Sequence, residues 1–95
     1  EKTIQQTKTL LKGKKIYLTL DIDVVDPAYA PGTSTPEPFG LTPAQVIEII
    51  EAFSPCLIGC DLVEVCPPYD HGQTAVLAAK LIQTSIGLIW KQTKA

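Results

Sequence analysis

The sequence predicts an α/β fold: one right-handed crossover unit with a trailing helix, belonging to a larger parallel sheet. Three observations lead there. Strand-type apolar runs at 16–20 and 57–65 are separated by a long loop and a helix-type segment, and a second helix-type segment follows. The second run is apolar on both faces except for Asp61 and Glu64, as in a central parallel strand. Of the 95 residues, 45% are hydrophobic and only 19% charged, too apolar a balance for so short a chain to cover its own surface. Two strands make no freestanding parallel sheet, so part of this apolar surface is expected to lie against further chain. One small domain or one piece of a larger one is expected, and a first residue of Glu fits a fragment or a processed chain.

Residues 1–15 read as a short polar lead-in, possessing at most the last turns of a helix, stopped by Gly13. Ile4, Leu10 and Leu11 could touch a core, but their periodicity is loose. Ile16 to Leu20 is a β-branched and aromatic strand, with Asp21 to Asp23 marking its carboxyl end. Residues 26–40 hold four Pro and two Gly, too stiff for a random linker and too broken for a helix. Such a loop, leaving a strand's carboxyl end, is where α/β proteins place ligands.

Thr42-Pro43-Ala44-Gln45 opens a helix: Thr42 caps it, Pro43 suits its first position and Gln45 completes the box. Leu41 and Val46 are spaced for a hydrophobic staple. Val46, Ile47, Ile50 and Phe53 form its apolar stripe, and Ser54-Pro55 ends it. After the second strand, Cys66-Pro67-Pro68-Tyr69-Asp70 is a hard stop. A long helix then runs from Gly72 to about Trp90, its core face set by Ala75, Ala78, Ala79, Ile82, Ile86 and Ile89 or Trp90. The Ala pair and Gly87 should let it lie close to the sheet, while Lys91 and Lys94 suit its dipole.

Charge is unevenly placed. There is no Arg, and between Ile16 and Ala79 there is no Lys, yet nine of the ten carboxylates fall there. Those acids either face water or answer to a cation outside the chain, such as a metal ion or a cationic substrate. Nucleic acid is excluded as a partner of this segment, which has no basic footprint for phosphates. No apolar run approaches 18 residues and no charged-then-apolar leader is present, so neither membrane span nor signal peptide is indicated. Cys56, Cys60 and Cys66 are too irregular for a zinc knuckle or a disulfide framework. They read as ordinary thiols in a reducing compartment, with a cytoplasmic location expected.

Three carboxylates, Asp21, Asp23 and Asp26, lie within six residues at the end of the first strand. In extended backbone, Asp21 and Asp23 would leave the same face. They would then repel unless one held a proton or a cation sat between them, which makes half of a divalent-metal site. The alternative is a strand-end Asp capping its own loop. Glu64, late in a central strand, would need a partner and should open on the same crevice, since parallel strands share a carboxyl edge. It would meet a ligand or metal there, or accept amides from the adjoining loop. Asp26 reads as a loop brace, Asp61 as structural on the opposite face from Glu64, and Tyr29 and Tyr69 as packing residues. His71 could start the helix, face water or touch the rim.

Asp21-Ile22-Asp23-Val24-Val25-Asp26-Pro27, with Pro31-Gly32-Thr33-Ser34-Thr35-Pro36 and Gly40-Leu41 behind it, closely resembles the C-terminal signature of the ureohydrolases, the arginase and agmatinase family. Asp61-Leu62-Val63-Glu64-Val65-Cys66-Pro67-Pro68-Tyr69-Asp70, then Thr74 and Ala75, resembles the next block. The two blocks stand in order over residues 16–90, and the run after Thr35-Pro36 looks more like agmatinases than arginases.

The resemblance implies a three-layer α/β/α parallel-sheet fold and a binuclear Mn2+ centre that hydrolyses a guanidinium compound to urea and an amine. Asp21 would bridge the metals, Asp23 would bind one of them, and Glu64 would hold the small cationic guanidinium substrate. Two cations would acidify a shared water for attack on the guanidinium carbon. The family's remaining metal ligands and its catalytic His come from an N-terminal half that these residues do not include. The expectation is therefore a C-terminal segment, inactive alone, that forms a homo-oligomer or associates with the missing half. Ser34 and Phe39 stand where the family usually has Gly, which bears on the substrate more than on the metals. A non-catalytic remnant or oligomerisation module of the same fold is the alternative. A sugar-nucleotide transferase using Asp-x-Asp is disfavoured, because nothing basic or Gly-rich stands beside the carboxylates.

Overall fold

Two parallel strands carry three helices. The computed structural model describes residues 2–94, in the order α1 (Lys2–Leu11), β1 (Ile16–Asp21), α2 (Pro43–Phe53), β2 (Leu57–Val63) and α3 (Gln73–Lys94). Glu1 and the side chain of Lys94, assigned above to the lead-in and to the helix dipole, lie outside the described residues. Register is parallel throughout, from Ile16 beside Leu57 to Asp21 beside Val63. This is an α/β fold, a parallel sheet with helices packed against it.

The pleat sorts the sheet into two unlike faces. Ile16, Leu18, Leu20 and Leu62 turn toward a core of Ile22, Val25, Ala30, Val46, Ile50, Leu57, Ala78 and Leu81. On the other face, Tyr17 lies over Gly59, where an added Cβ would come within 3.1 Å of its ring. Tyr17 is 59% exposed and its neighbour Thr19 is also exposed. Ile58, the extra residue where the register shifts between Ile16 and Tyr17, is 63% exposed. Among the described residues, the helices pack on one face of this pair.

α1 is a full helix of ten residues where only its last turns were expected. Its Gln, Lys and Leu residues are good helix formers, and Gly13 at φ 79° ends it with the Lys14 amide on the Leu11 carbonyl. No residue of α1 is fully buried, and an apolar cleft of about 190 Å³ separates it from β1 and α2. α2 has the expected reciprocal cap: the Gln45 amide donates to Thr42 Oγ1 at 3.1 Å, and the Thr42 amide to Gln45 Oε1 at 2.9 Å.

α3 buries only part of the stripe expected: Ala78 is in the core and Ile89 packs against it. Thr74, Ala78, Leu81 and Ser85 are inside, whereas Ala79, Ile86 (61%) and Trp90 (60%) are exposed. The helix is apolar around more than one face, and the buried stripe includes two hydroxyls. Ser85 is made compatible with burial by donating to the Leu81 carbonyl at 2.8 Å. Gly87 is exposed with open space around it, so it permits no close approach.

The 26–40 loop is tied to the end of β1. Asp26 and Leu41 exchange backbone bonds with the opposite segment, Asp26 N–H to Leu41 O and Leu41 N–H to Val24 O, both at 2.9 Å. Gly40 sits between these bonds. A Cβ there would stand 2.7 Å from the Asp26 nitrogen and 2.8 Å from the Val24 oxygen, backbone atoms that cannot swing aside. Gly40→Ala is expected to lower the stability of the complete protein by about 2 kcal/mol. An unchanged urea midpoint would show that the loop yields without strain. Two non-glycine residues, Phe39 (φ 64°) and Glu64 (φ 72°), occupy left-handed backbone.

Candidate active site

β1 ends at Asp21, and the chain then winds into a 3-10 turn over Ile22–Val24, drawn in by the fully buried Ile22. The extended backbone through Asp23, on which the same-face expectation rested, is therefore replaced by a turn. Asp21 caps that turn, its Oδ1 accepting the Asp23 amide at 3.1 Å. Asp23 Oδ2 accepts the Thr35 hydroxyl at 2.9 Å, which ties the loop to the carboxylates. Capping and proximity thus occur together: the turn makes its own cap and sets the two acids side by side.

Burial raises the Asp21 pKa above that of an ordinary aspartate, and the Asp23 and Glu64 charges add to the rise against the opposing pull of the Asp23 amide. Glu64 is therefore within electrostatic reach of Asp21, across the shared carboxyl edge. β2 stops at Val63, one residue before it. Glu64 is exposed and sits at φ 72°, so its carboxylate is not the buried strand group expected from sequence. The reason is the Pro67-Pro68 stop, which forces the chain out of the sheet early. The geometry aims a solvated acid at the edge, without the desolvation argued from a central strand.

Asp26 is the brace it was read to be. Its Oδ1 accepts the Ala28 amide at 2.9 Å and its Oδ2 the Gly40 amide at 3.1 Å. Asp61 lies on the helix-free face, where Tyr17 donates to its Oδ2 at 3.2 Å and Thr19 at 3.4 Å. That hydrogen bond, ahead of burial and charge, raises the Tyr17 pKa. Asp61 Oδ1 is buried with no hydrogen-bond partner among the described residues. His71 is exposed, its amide donating to Gln73 Oε1 at 2.9 Å. Tyr29 and Tyr69, expected to pack, are 48% and 61% exposed.

A polar clamp under the site was not anticipated. The Gly32 amide donates to Thr74 Oγ1 at 2.8 Å, and the Cys66 amide to the Gly32 carbonyl at 2.7 Å. Asp70 then accepts the Thr74 hydroxyl and amide on one oxygen and the Gly72 amide on the other. A Cβ on Gly32 would come within 2.6 Å of Asp70 Oδ2. The clamp joins the loop, the end of β2 and the start of α3. Its only local signal is an Asp four residues before a Thr at a helix start; the Gly32 contact spans 42 residues.

The Thr74 hydroxyl, then the Gly72 amide, hold the Asp70 carboxyl below the usual aspartate range. A depressed pKa contributes stability that is complete above the unfolded value near about 4 and lost as pH falls through the folded one. Protection of the Thr74 amide, corrected for the intrinsic exchange rate, should therefore fall below about pH 4, and Asp70→Asn should remove that fall. Equal pH dependence in the variant would assign the effect to another carboxylate.

Among the described residues, no three His, Cys, Asp or Glu form a group able to hold a metal ion. No helix of the described residues is long and apolar enough to cross a membrane. Asp21 Oδ1 takes the Asp23 amide and Asp23 Oδ2 the Thr35 hydroxyl, and the two carboxyls also meet each other. As hard oxygen donors on one turn they fit two places in a divalent-metal site, which needs several more.

Similarity to known proteins follows the same segments. The human protein named guanidino acid hydrolase, mitochondrial, is 56% identical over 79 residues, 81% of this chain and 22% of its own length. The agmatinase, mitochondrial, of Gallus gallus is 56% identical over 69 residues, 70% of this chain and 20% of its own. The crystal structure of agmatine ureohydrolase of Thermoplasma volcanium superposes with a TM-score of 0.88 at 44% identity, covering 98% of this chain and 31% of that one. The chain thus spans between a fifth and under a third of the length of the curated relatives it matches. The family description "Arginase family" matches residues 1–87, so with this fold and these carboxylates the chain belongs to the arginase family.

Proposed function

We propose that this chain is a C-terminal segment of a manganese-dependent ureohydrolase acting on an agmatine-like guanidinium compound. One observation carries the reading: Asp21, Asp23 and Glu64 share the carboxyl edge of a parallel pair, within electrostatic reach, in a stretch with no Lys or Arg. Asp21 and Asp23 would hold the metal. When bound, the metal supplies acidified water for attack on the guanidinium carbon.

The chain's own contribution is placement. The Asp23 amide holds the Asp21 carboxylate and the Thr35 hydroxyl holds that of Asp23, which restrains both acids. Glu64 would accept forked hydrogen bonds from a planar guanidinium and orient its carbon toward the Asp21 side. The names of the relatives support either agmatine or a guanidino acid as substrate. The other ligands would come from further chain, and these residues alone would release no urea. The test is manganese-dependent urea release by the complete protein with agmatine, arginine and guanidinobutyrate. Metal-independent release, or none with any of the three, would overturn the reading.

A further inference from the structure

At the amino ends of the strands, roughly 20 Å from the carboxylates by strand length, a cleft of about 760 Å³ opens between the end of α1 and the start of β2. Lys8, Lys12, Lys14 and Lys15 line it, together with Phe53 and Ile58, and no Asp or Glu does. Residues 2–20 contain five Lys and no acid, so the chain is strongly bipolar. The dipole of α1 accounts for Lys8 and Lys12. It does not account for Lys14 and Lys15, which lie beyond the left-handed Gly13 and still turn to the same cleft. Nor does it explain the apolar surface beside them, where Ile58 is 63% exposed.

Four ammonium groups around a concavity repel one another and focus the field on an anion. A bare inorganic anion would leave Phe53 and Ile58 wetted, and a neutral apolar molecule would leave the repulsion unrelieved. The volume lies within the usual range of small-molecule sites. We propose that this cleft binds a phosphorylated aromatic molecule of nucleotide size, its phosphate held by Lys12, Lys14 and Lys15 and its ring laid on Phe53 and Ile58. The site shares no residue with the proposed active site, so either can fail without the other.

Adenosine 5′-monophosphate is the probe, titrated calorimetrically into the complete protein with EDTA present to keep metal out of the measurement. Saturable binding is expected, weakening at least about ten-fold in Lys12→Gln/Lys14→Gln/Lys15→Gln and several-fold between about 50 and 200 mM salt. Ile58→Ser should weaken adenosine monophosphate several-fold and leave inorganic phosphate unchanged. These positions are exposed, and circular dichroism of each variant confirms that the fold is retained. No saturable binding below about 1 mM, equal binding by the triple Lys variant, or inorganic phosphate binding as tightly as the nucleotide would overturn the proposal. So would affinity for single-stranded oligonucleotides that grows with length, which would make the lysines part of a polyanion surface.

Discussion

Asp21→Asn in the complete protein is expected to lower bound manganese and urea release together, turnover by about a thousand-fold. Asn keeps the shape and the cap on the Asp23 amide but removes the charge that would hold the metal. Glu64→Gln should separate the two readouts. Metal content stays near normal, while kcat/KM falls by about 30-fold to a few thousand-fold, the loss expected when one partner of a charge pair is neutralised. Metal analysis beside steady-state rates decides it. Equal metal loss in both variants would show that Glu64 belongs to the metal site, and unaltered turnover in Glu64→Gln would remove it from the substrate.

The second large effect concerns the 95 residues by themselves. They are expected to self-associate or to need further chain, and to show no cooperative monomeric unfolding. The structural reason is the uncovered sheet face with Tyr17, both unpaired sheet edges, and the apolar side of α3 with Val76 (71% exposed) and Ile86. A two-strand parallel sheet covered on one face buries too little to offset the entropy of ordering the chain. Sedimentation and urea unfolding at several concentrations test this. A monomer with a sharp, concentration-independent midpoint would show that the core of Ile22, Ile50 and Leu81 suffices.

Legibility followed the range of each interaction. The capping box at Thr42 and the two parallel strands were readable because their determinants lie within a few residues or repeat with a fixed period. α3 was readable as a helix but only partly in rotation, because Ile82, Ile86 and Ile89 mark as strong a stripe as Thr74, Ala78 and Leu81. The buried choice depends on a Gly32 amide 42 residues away. The turn at Ile22 was missed because alternation in Asp21-Ile22-Asp23 fits a strand as well as a 3-10 turn anchored by its apolar middle residue. At Glu64, a left-handed backbone is a conformation that Gly, Asn and Asp signal and Glu does not. The family blocks located the carboxylates more sharply than local physics, which left capping and metal binding both open.

Phe39 and Glu64 share a backbone geometry but face opposite evolutionary pressures. Each sits at positive φ, where a side chain costs about 1 kcal/mol or more that glycine would not. Phe39 is 99% exposed, so Phe39→Gly should raise the melting temperature and leave metal binding intact, any change falling on substrate preference. Glu64→Gly should stabilise the protein by a similar amount and abolish turnover. Selection for robustness alone would remove both residues, and selection for catalysis would protect only the second. A library at these two codons, sorted first for thermal tolerance and then for urea release, would let glycine take over position 39 in both rounds and position 64 only in the first.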